Sequence, residues 1–99
     1  MSKASDKVNS QELYRAILAL RNEDECRRFF HDLCTIAELR AMEQRYDVAV
    51  LLEQGMVYSD ILDRTGASSA TISRVNRALN YGEDGYKDVF RHLQEQEHS

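Results

Sequence analysis

Two guanidinium groups, at Arg74 and Arg77, lie three residues apart in a stretch that also offers hydroxyls at Ser68, Ser69, Thr71 and Ser73 and a lone methyl at Ala70. A guanidinium can donate two parallel hydrogen bonds, a fork that fits a guanine edge or a phosphate. Hydroxyls near a helix start can bond phosphate oxygens, helped by the positive end of the helix. Small residues such as Ala70 and Ser73 let a helix approach base edges closely. The set therefore suits double-stranded DNA read in the major groove. A polar helix face that is merely solvated would use similar residues, and charge separates the two accounts. The chain has 13 Lys+Arg and 17 Asp+Glu, net −4; positions 64–82 hold Arg64, Arg74 and Arg77 and no acid, so that window is +3 and −7 is left elsewhere. A solvated face more often mixes both signs, whereas a nucleic-acid surface focuses one.

These side chains need a helix held firmly at its start, and the preceding residues supply one. Tyr58–Thr65 reads as a short helix with Ile61 and Leu62 on its apolar side. Gly66 follows where a helix end needs a left-handed residue. Ser68 is placed to cap the next helix, expected from about Ser69 to Leu79. Ile72, Val75 and Leu79 recur at spacings of three and four and form one apolar stripe. Ala70, Ser73, Arg74 and Arg77 then fall on the opposite face, with Thr71 and Asn76 on the flanks. Two short helices joined by a tight turn form a helix-turn-helix.

The rest of the chain predicts an all-α fold of about six helices. There is no proline and only four glycines in 99 residues, a length that argues for one modest domain. Residues 1–8 read as a disordered N-terminal tail, 9–95 as a single all-α domain and 96–99 as a loose C-terminal tail. Asn9 with Glu12, Asn22 with Glu25 and Thr35 with Glu38 have capping-box spacing. They predict helices to about Leu20, over 23–33 and over 36–54, the last ended by Gly55. The longest helix carries Leu39, Met42, Tyr46, Ala49, Val50 and Leu52, a broad apolar surface for a central element. Asn80-Tyr81-Gly82 reads as a turn before a last helix over about 84–95, with Tyr86, Val89, Phe90 and Leu93. The apolar faces of the first two helices and the last could pack within one chain or on a second copy; the short chain favours the second copy.

Other chemistries find little support. Cys26, His31 and Cys34 lack the fourth ligand a structural zinc site needs, so no metal is expected. Cys26 and Cys34 read as buried thiols of a cytoplasmic protein rather than a disulfide. His31, His92 and His98 pair with no recognisable nucleophile, and there is no phosphate-cradling glycine loop, so the chain is not expected to be an enzyme. Phe29, Phe30, Tyr46, Tyr86 and Phe90 recur at helical spacing and read as core. No signal peptide or membrane span is evident, and no membrane partner is expected.

LCTIAELRAMEQRYDVAVLLEQG followed by the helix-turn-helix resembles the tryptophan repressor superfamily, and within it the Trp-repressor-related proteins of the YerC/YecD type. Thr35, Glu38, Ala41, Arg45, Gly55, Gly66, Ala67 and the run Ala70-Thr71-Ile72 with Arg74 carry the resemblance, which covers about residues 33–93. It implies an intertwined homodimer whose N-terminal and last helices interlock while two helix-turn-helix heads read successive major grooves. It also implies an effector pocket in which Arg45 and Arg74 would hold a small ligand, with Thr35 and Thr71 nearby. The sequence departs from the tryptophan-binding pattern at Val75, where the family has glycine, and at Ala78, where it has a pocket serine. The loop after Gly55 is also one residue shorter. Tryptophan is therefore not the expected corepressor, and any effector is of unknown identity; no cofactor is expected.

The combined expectation is a cytoplasmic, sequence-specific transcriptional regulator, a repressor, binding double-stranded DNA as a homodimer. The competing expectation is a non-catalytic protein-interaction module that uses the helical hairpin. The acid-free window favours DNA, and a net charge of −4 disfavours an architectural binder without sequence preference.

Overall fold

Helix starts follow the capping residues. Glu38 N–H donates to Thr35 Oγ1 at 3.0 Å while Thr35 N–H donates to the Glu38 carboxylate at 2.9 Å, a complete reciprocal box. At the previous helix Glu25 N–H donates to Asn22 Oδ1 at 2.8 Å, and the Glu25 carboxylate reaches back to Arg21 N–H, one residue before the cap, at 2.9 Å. The structure is a computed structural model and describes residues 11–98. Its six helices are α1 (Gln11–Leu18), α2 (Glu23–Leu33), α3 (Ile36–Glu53), α4 (Tyr58–Thr65), α5 (Ser69–Tyr81) and α6 (Gly85–Glu97). The fold is all-α, with no strand among the described residues. The expected tail at 1–8 and the cap at Asn9 lie outside them.

Helix ends differ from expectation in three places. α1 stops at Leu18 rather than Leu20, closed by a tight turn in which Leu20 N–H bonds Ile17 O at 3.1 Å. α5 runs on through Asn80 and Tyr81, where a turn was expected, because Asn80 Nδ2 donates to Asn76 O at 2.9 Å and the backbone keeps helical bonding to Gly82. α6 reaches Glu97, so two residues of the expected loose tail are helical; Gln and Glu are good helix formers and nothing there breaks the run. α3 closes as expected. Gly55 is left-handed (φ 86°), Met56 N–H bonds Leu51 O at 3.0 Å and Gly55 N–H bonds Leu52 O at 3.0 Å, which is a Schellman motif.

Within the stretch 9–95 read as one domain, the residues cluster into two compact units, up to Leu39 and from Arg40 on. In the first, no residue of α1 or α2 is buried. Leu13, Tyr14, Leu18 and Leu33 are all exposed, Leu18 by 84%. Phe29 and Phe30 meet edge to face at 5.6 Å. The Arg28 and Arg27 guanidinium groups bond Asp24 and hold its carboxyl below the usual carboxylate range. Cys26 and Cys34 are free thiols, half-buried rather than buried as expected.

The second unit has a core of Val48 and Ala49 from α3, Ile61 from α4, Ala67 from the turn, and Ile72 and Val75 from α5. Leu79 is 5% exposed. Tyr86 and Phe90 of α6 and Leu51, Leu52 and Met56 pack against the cluster. Tyr46 and Tyr86 flank Phe90 with ring centroids at 5.9 and 6.2 Å, so these aromatics are packing residues. Lys87 of α6 pairs with Glu53 of α3 at 3.0 Å. Val89 and Leu93 of α6 stay exposed. Two corrections concern the core. Val48 was not singled out on the broad surface of α3, yet it is fully buried. Leu62 was paired with Ile61 on the apolar side of α4; it is 42% exposed, since successive residues lie 100° apart and only Ile61 points inward.

Candidate nucleic-acid interface

The turn that presents α5 is built by short polar contacts. Gly66 ends α4 in the left-handed region (φ 72°) and its N–H bonds Leu62 O at 2.8 Å. A side chain at that φ would be strained. Thr65 Oγ1 donates to Ile61 O at 2.7 Å and accepts from Ala67 N–H at 3.1 Å. Ala67 is 1% exposed, which pins the turn to the core. Ser68 then caps α5: its Oγ accepts from Thr71 N–H at 3.1 Å and donates to Thr71 Oγ1 at 3.1 Å. Ile72 N–H takes the Ser68 carbonyl at 3.0 Å. The N–H groups of Ser69 and Ala70 are left without an acceptor among the described residues, open at the positive end of a 13-residue helix.

The apolar stripe and the opposite face of α5 fall as the spacing requires. Ile72, Val75 and Leu79 are buried, while Ser69, Ala70, Ser73, Arg74 and Arg77 are exposed. Thr71 is half-buried with its hydroxyl engaged by Ser68, so Ser68 and Thr71 act on each other as well as facing the helix start. Arg64, Arg74 and Arg77 form no ion pair with any described residue. The acids flanking this window, Asp60, Asp63, Glu83 and Asp84, are exposed, and none forms an ion pair with them. The face thus offers free guanidinium forks, small residues between them, and open backbone donors at one end. Such a surface can bond phosphates and base edges.

Arg45, like Arg74, is exposed and has no ion-pair partner among the described residues. The side chain of Val75, 2% exposed, is part of the core, and Ala78 offers no hydroxyl. A cavity of about 260 Å³ lies elsewhere, lined by Asp47, Val50, Leu51, Arg64 and Thr65. No group of three or more metal-ligating side chains occurs among the described residues, Cys26, His31 and Cys34 included. No described helix is long and apolar enough to cross a membrane. Sequence spacing did not reveal one contact that holds the site: Gln44 of α3 donates through Nε2 to Thr65 O at 3.1 Å, across 21 residues of chain. A glutamine on a helix surface carries no local signal for so distant an acceptor.

Known proteins resemble this chain over nearly its whole length. The model of the Trp repressor protein family matches residues 9–94. The uncharacterized protein YerC of Bacillus subtilis is 47% identical over 95 residues, which span 93% of this chain and 91% of YerC. The crystal structure of a TrpR-like protein from Eubacterium eligens superposes with a TM-score of 0.83 at 48% identity, covering 91% of this chain and 95% of that one. A Staphylococcus aureus protein solved as a candidate Trp repressor gives a TM-score of 0.81 at 45% identity, with coverage of 85% and 84%.

Proposed function

The chain belongs to the Trp repressor protein family, and from that premise we propose that it is a sequence-specific DNA-binding repressor of transcription that acts as a homodimer. α5 is the recognition helix. Ser69, Thr71 and the open N–H groups of Ser69 and Ala70 position it on phosphate, with Ser68 holding the helix start. Arg74 and Arg77 contact bases or backbone, and Ala70 and Ser73 allow close approach. The observation that carries this reading is the exposed, acid-free face of α5 whose two arginines are paired with no carboxylate. It is mounted on a fully buried helix-turn-helix core.

The homodimer is supported by apolar surface. Leu13, Leu18, Leu33, Ile36, Val89 and Leu93 are each 38% exposed or more in a single chain. A second copy would remove such surface from water at roughly 25 cal/mol per Å². Two heads related by a two-fold axis would then meet major grooves about one duplex turn apart, roughly 34 Å. The reading is non-catalytic. Tryptophan is not its corepressor: Val75 stands where the tryptophan-binding pattern has glycine, and Ala78 cannot accept from a ligand amino group. Arg45 and Arg74 are the residues to examine for any other small effector.

Selection of bound duplexes from a random pool tests the proposal. Enrichment of a two-fold symmetric motif is the expected result. A folded protein that enriches no sequence would refute it and favour a protein-binding role for the hairpin.

A further inference from the structure

We infer that Gln44 is a positioning residue that sets the angle of the reading head, and through it the half-site spacing the protein accepts. The inference rests on the homodimeric DNA-binding reading above. α4 ends at Thr65, and the last carbonyls of a helix lack internal partners. Gly66 N–H serves Leu62 O, and the Thr65 hydroxyl serves Ile61 O. The carbonyl of Thr65 itself, half-buried at the mouth of the turn, is served from α3 by Gln44 Nε2 at 3.1 Å. Among the described residues no other α3 side chain hydrogen-bonds α4 or α5.

Besides that bond and the connecting residues 54–57, the head and α3 share one apolar cluster, in which Val48 and Ala49 join Ile61, Ala67, Ile72 and Val75. The hydrophobic effect is itself non-directional. A hydrogen bond has a narrow preferred geometry. The Gln44–Thr65 bond therefore supplies the directional restraint, and it acts one residue before Gly66, where the chain turns into α5. Small rotations matter at that point. A turn at that junction that carries each α5 along the duplex changes the distance between the two, and one base-pair rise is only about 3.4 Å. Arg74 and Arg77 would still read their own half-site, but the two half-sites would no longer have to lie at one spacing.

The test uses the full-length protein and its selected symmetric duplex, with versions carrying one or two base pairs inserted or deleted at the centre. Gln44→Met keeps an unbranched side chain of similar length and removes the donor. Gln44→Lys keeps a donor and adds a charge whose uniform effect on affinity cancels in a ratio. The quantity read is affinity for native spacing divided by affinity for altered spacing. Gln44→Met is expected to lower that ratio at least threefold, with base preferences inside each half-site unchanged, and Gln44→Lys to restore most of it. A stability loss alone would weaken all duplexes alike and leave the ratio where it was. An unchanged ratio in Gln44→Met, whatever its melting temperature, overturns the inference. A wild-type protein indifferent to spacing would instead sink the two-headed dimer, and the role of Gln44 with it; the wild-type arm distinguishes that outcome from the first.

Discussion

Replacing Arg77 by alanine is expected to weaken operator binding at least tenfold, about 1.4 kcal/mol, while leaving folding intact. Arg77 is exposed and has no ion pair or hydrogen bond with a described residue, so its loss removes no native contact. Exposed substitutions of that kind stay within roughly 0.5 kcal/mol of neutral. A dimer presents the residue twice. If each guanidinium grips a guanine edge, each pair is worth roughly 1–3 kcal/mol of discrimination, so losing two costs about 2 kcal/mol or more and exceeds tenfold. If each grips a phosphate, two counterion-releasing contacts are lost, and the slope of log K against log salt becomes shallower by about 1.8. Fluorescence anisotropy at several salt concentrations between 50 and 200 mM (roughly the range over which such contacts weaken most) separates the two. A base contact shows relaxed sequence preference, and Arg77→Lys rescues little, because an ammonium cannot reproduce the fork. A phosphate contact shows uniform loss over all duplexes, and Arg77→Lys rescues most of it. Affinity within twofold of wild type, with the protein folded, would refute the assignment of the α5 face to DNA.

Three further outcomes are expected. Ser68→Ala removes the acceptor for Thr71 N–H and should lower stability by about 1 kcal/mol in urea unfolding; an unchanged midpoint would mean that the cap contributes nothing. Light scattering should give a mass twice the 11.5 kDa of one chain, and a stable species at the single-chain mass would remove the dimer. L-tryptophan at millimolar concentration should change operator affinity by less than twofold, and a clear tightening would show that Val75 and Ala78 leave room for it after all.

Much of this fold was legible because local chemistry and tertiary packing agree. Thr35 with Glu38 and Asn22 with Glu25 set helix starts that the structure places at the same residues. Gly55 and Gly66 mark helix ends because both must be left-handed. The period of Ile72, Val75 and Leu79 fixed which side of α5 is buried, and so which side carries Arg74 and Arg77. Legibility failed where the pattern is not one-sided. α3 is apolar around much of its circumference, so nothing local singled out Val48 as the residue facing Ile61 and Ile72. α1 and α2 are clearly amphipathic, yet amphipathicity states only that a face wants cover; in one chain those faces are exposed. Gln44 failed for a third reason: its acceptor is defined by the turn, and the turn exists only once the helices have packed.

The exposed surface divides by chemistry in a way that bears on how the protein meets its partners. Large exposed apolar side chains sit on α1, α2, the start of α3, α4 and α6, whereas on α5 the one such residue is Tyr81, at its last position. The reading face of α5 therefore carries no large apolar group to draw a protein partner, and the faces rich in leucine and valine lack the focused positive charge that would draw DNA. Net charge runs the same way: positions 64–82 sum to +3 and the rest of the chain to −7, so the net charge outside the window opposes phosphate. On the proposed reading, that asymmetry steers a duplex toward α5. The same repulsion acts against non-specific binding, which depends almost wholly on phosphate contacts. An overall acidic composition is therefore compatible with the proposed DNA recognition, because positions 64–82 alone sum to +3 while the remainder is −7.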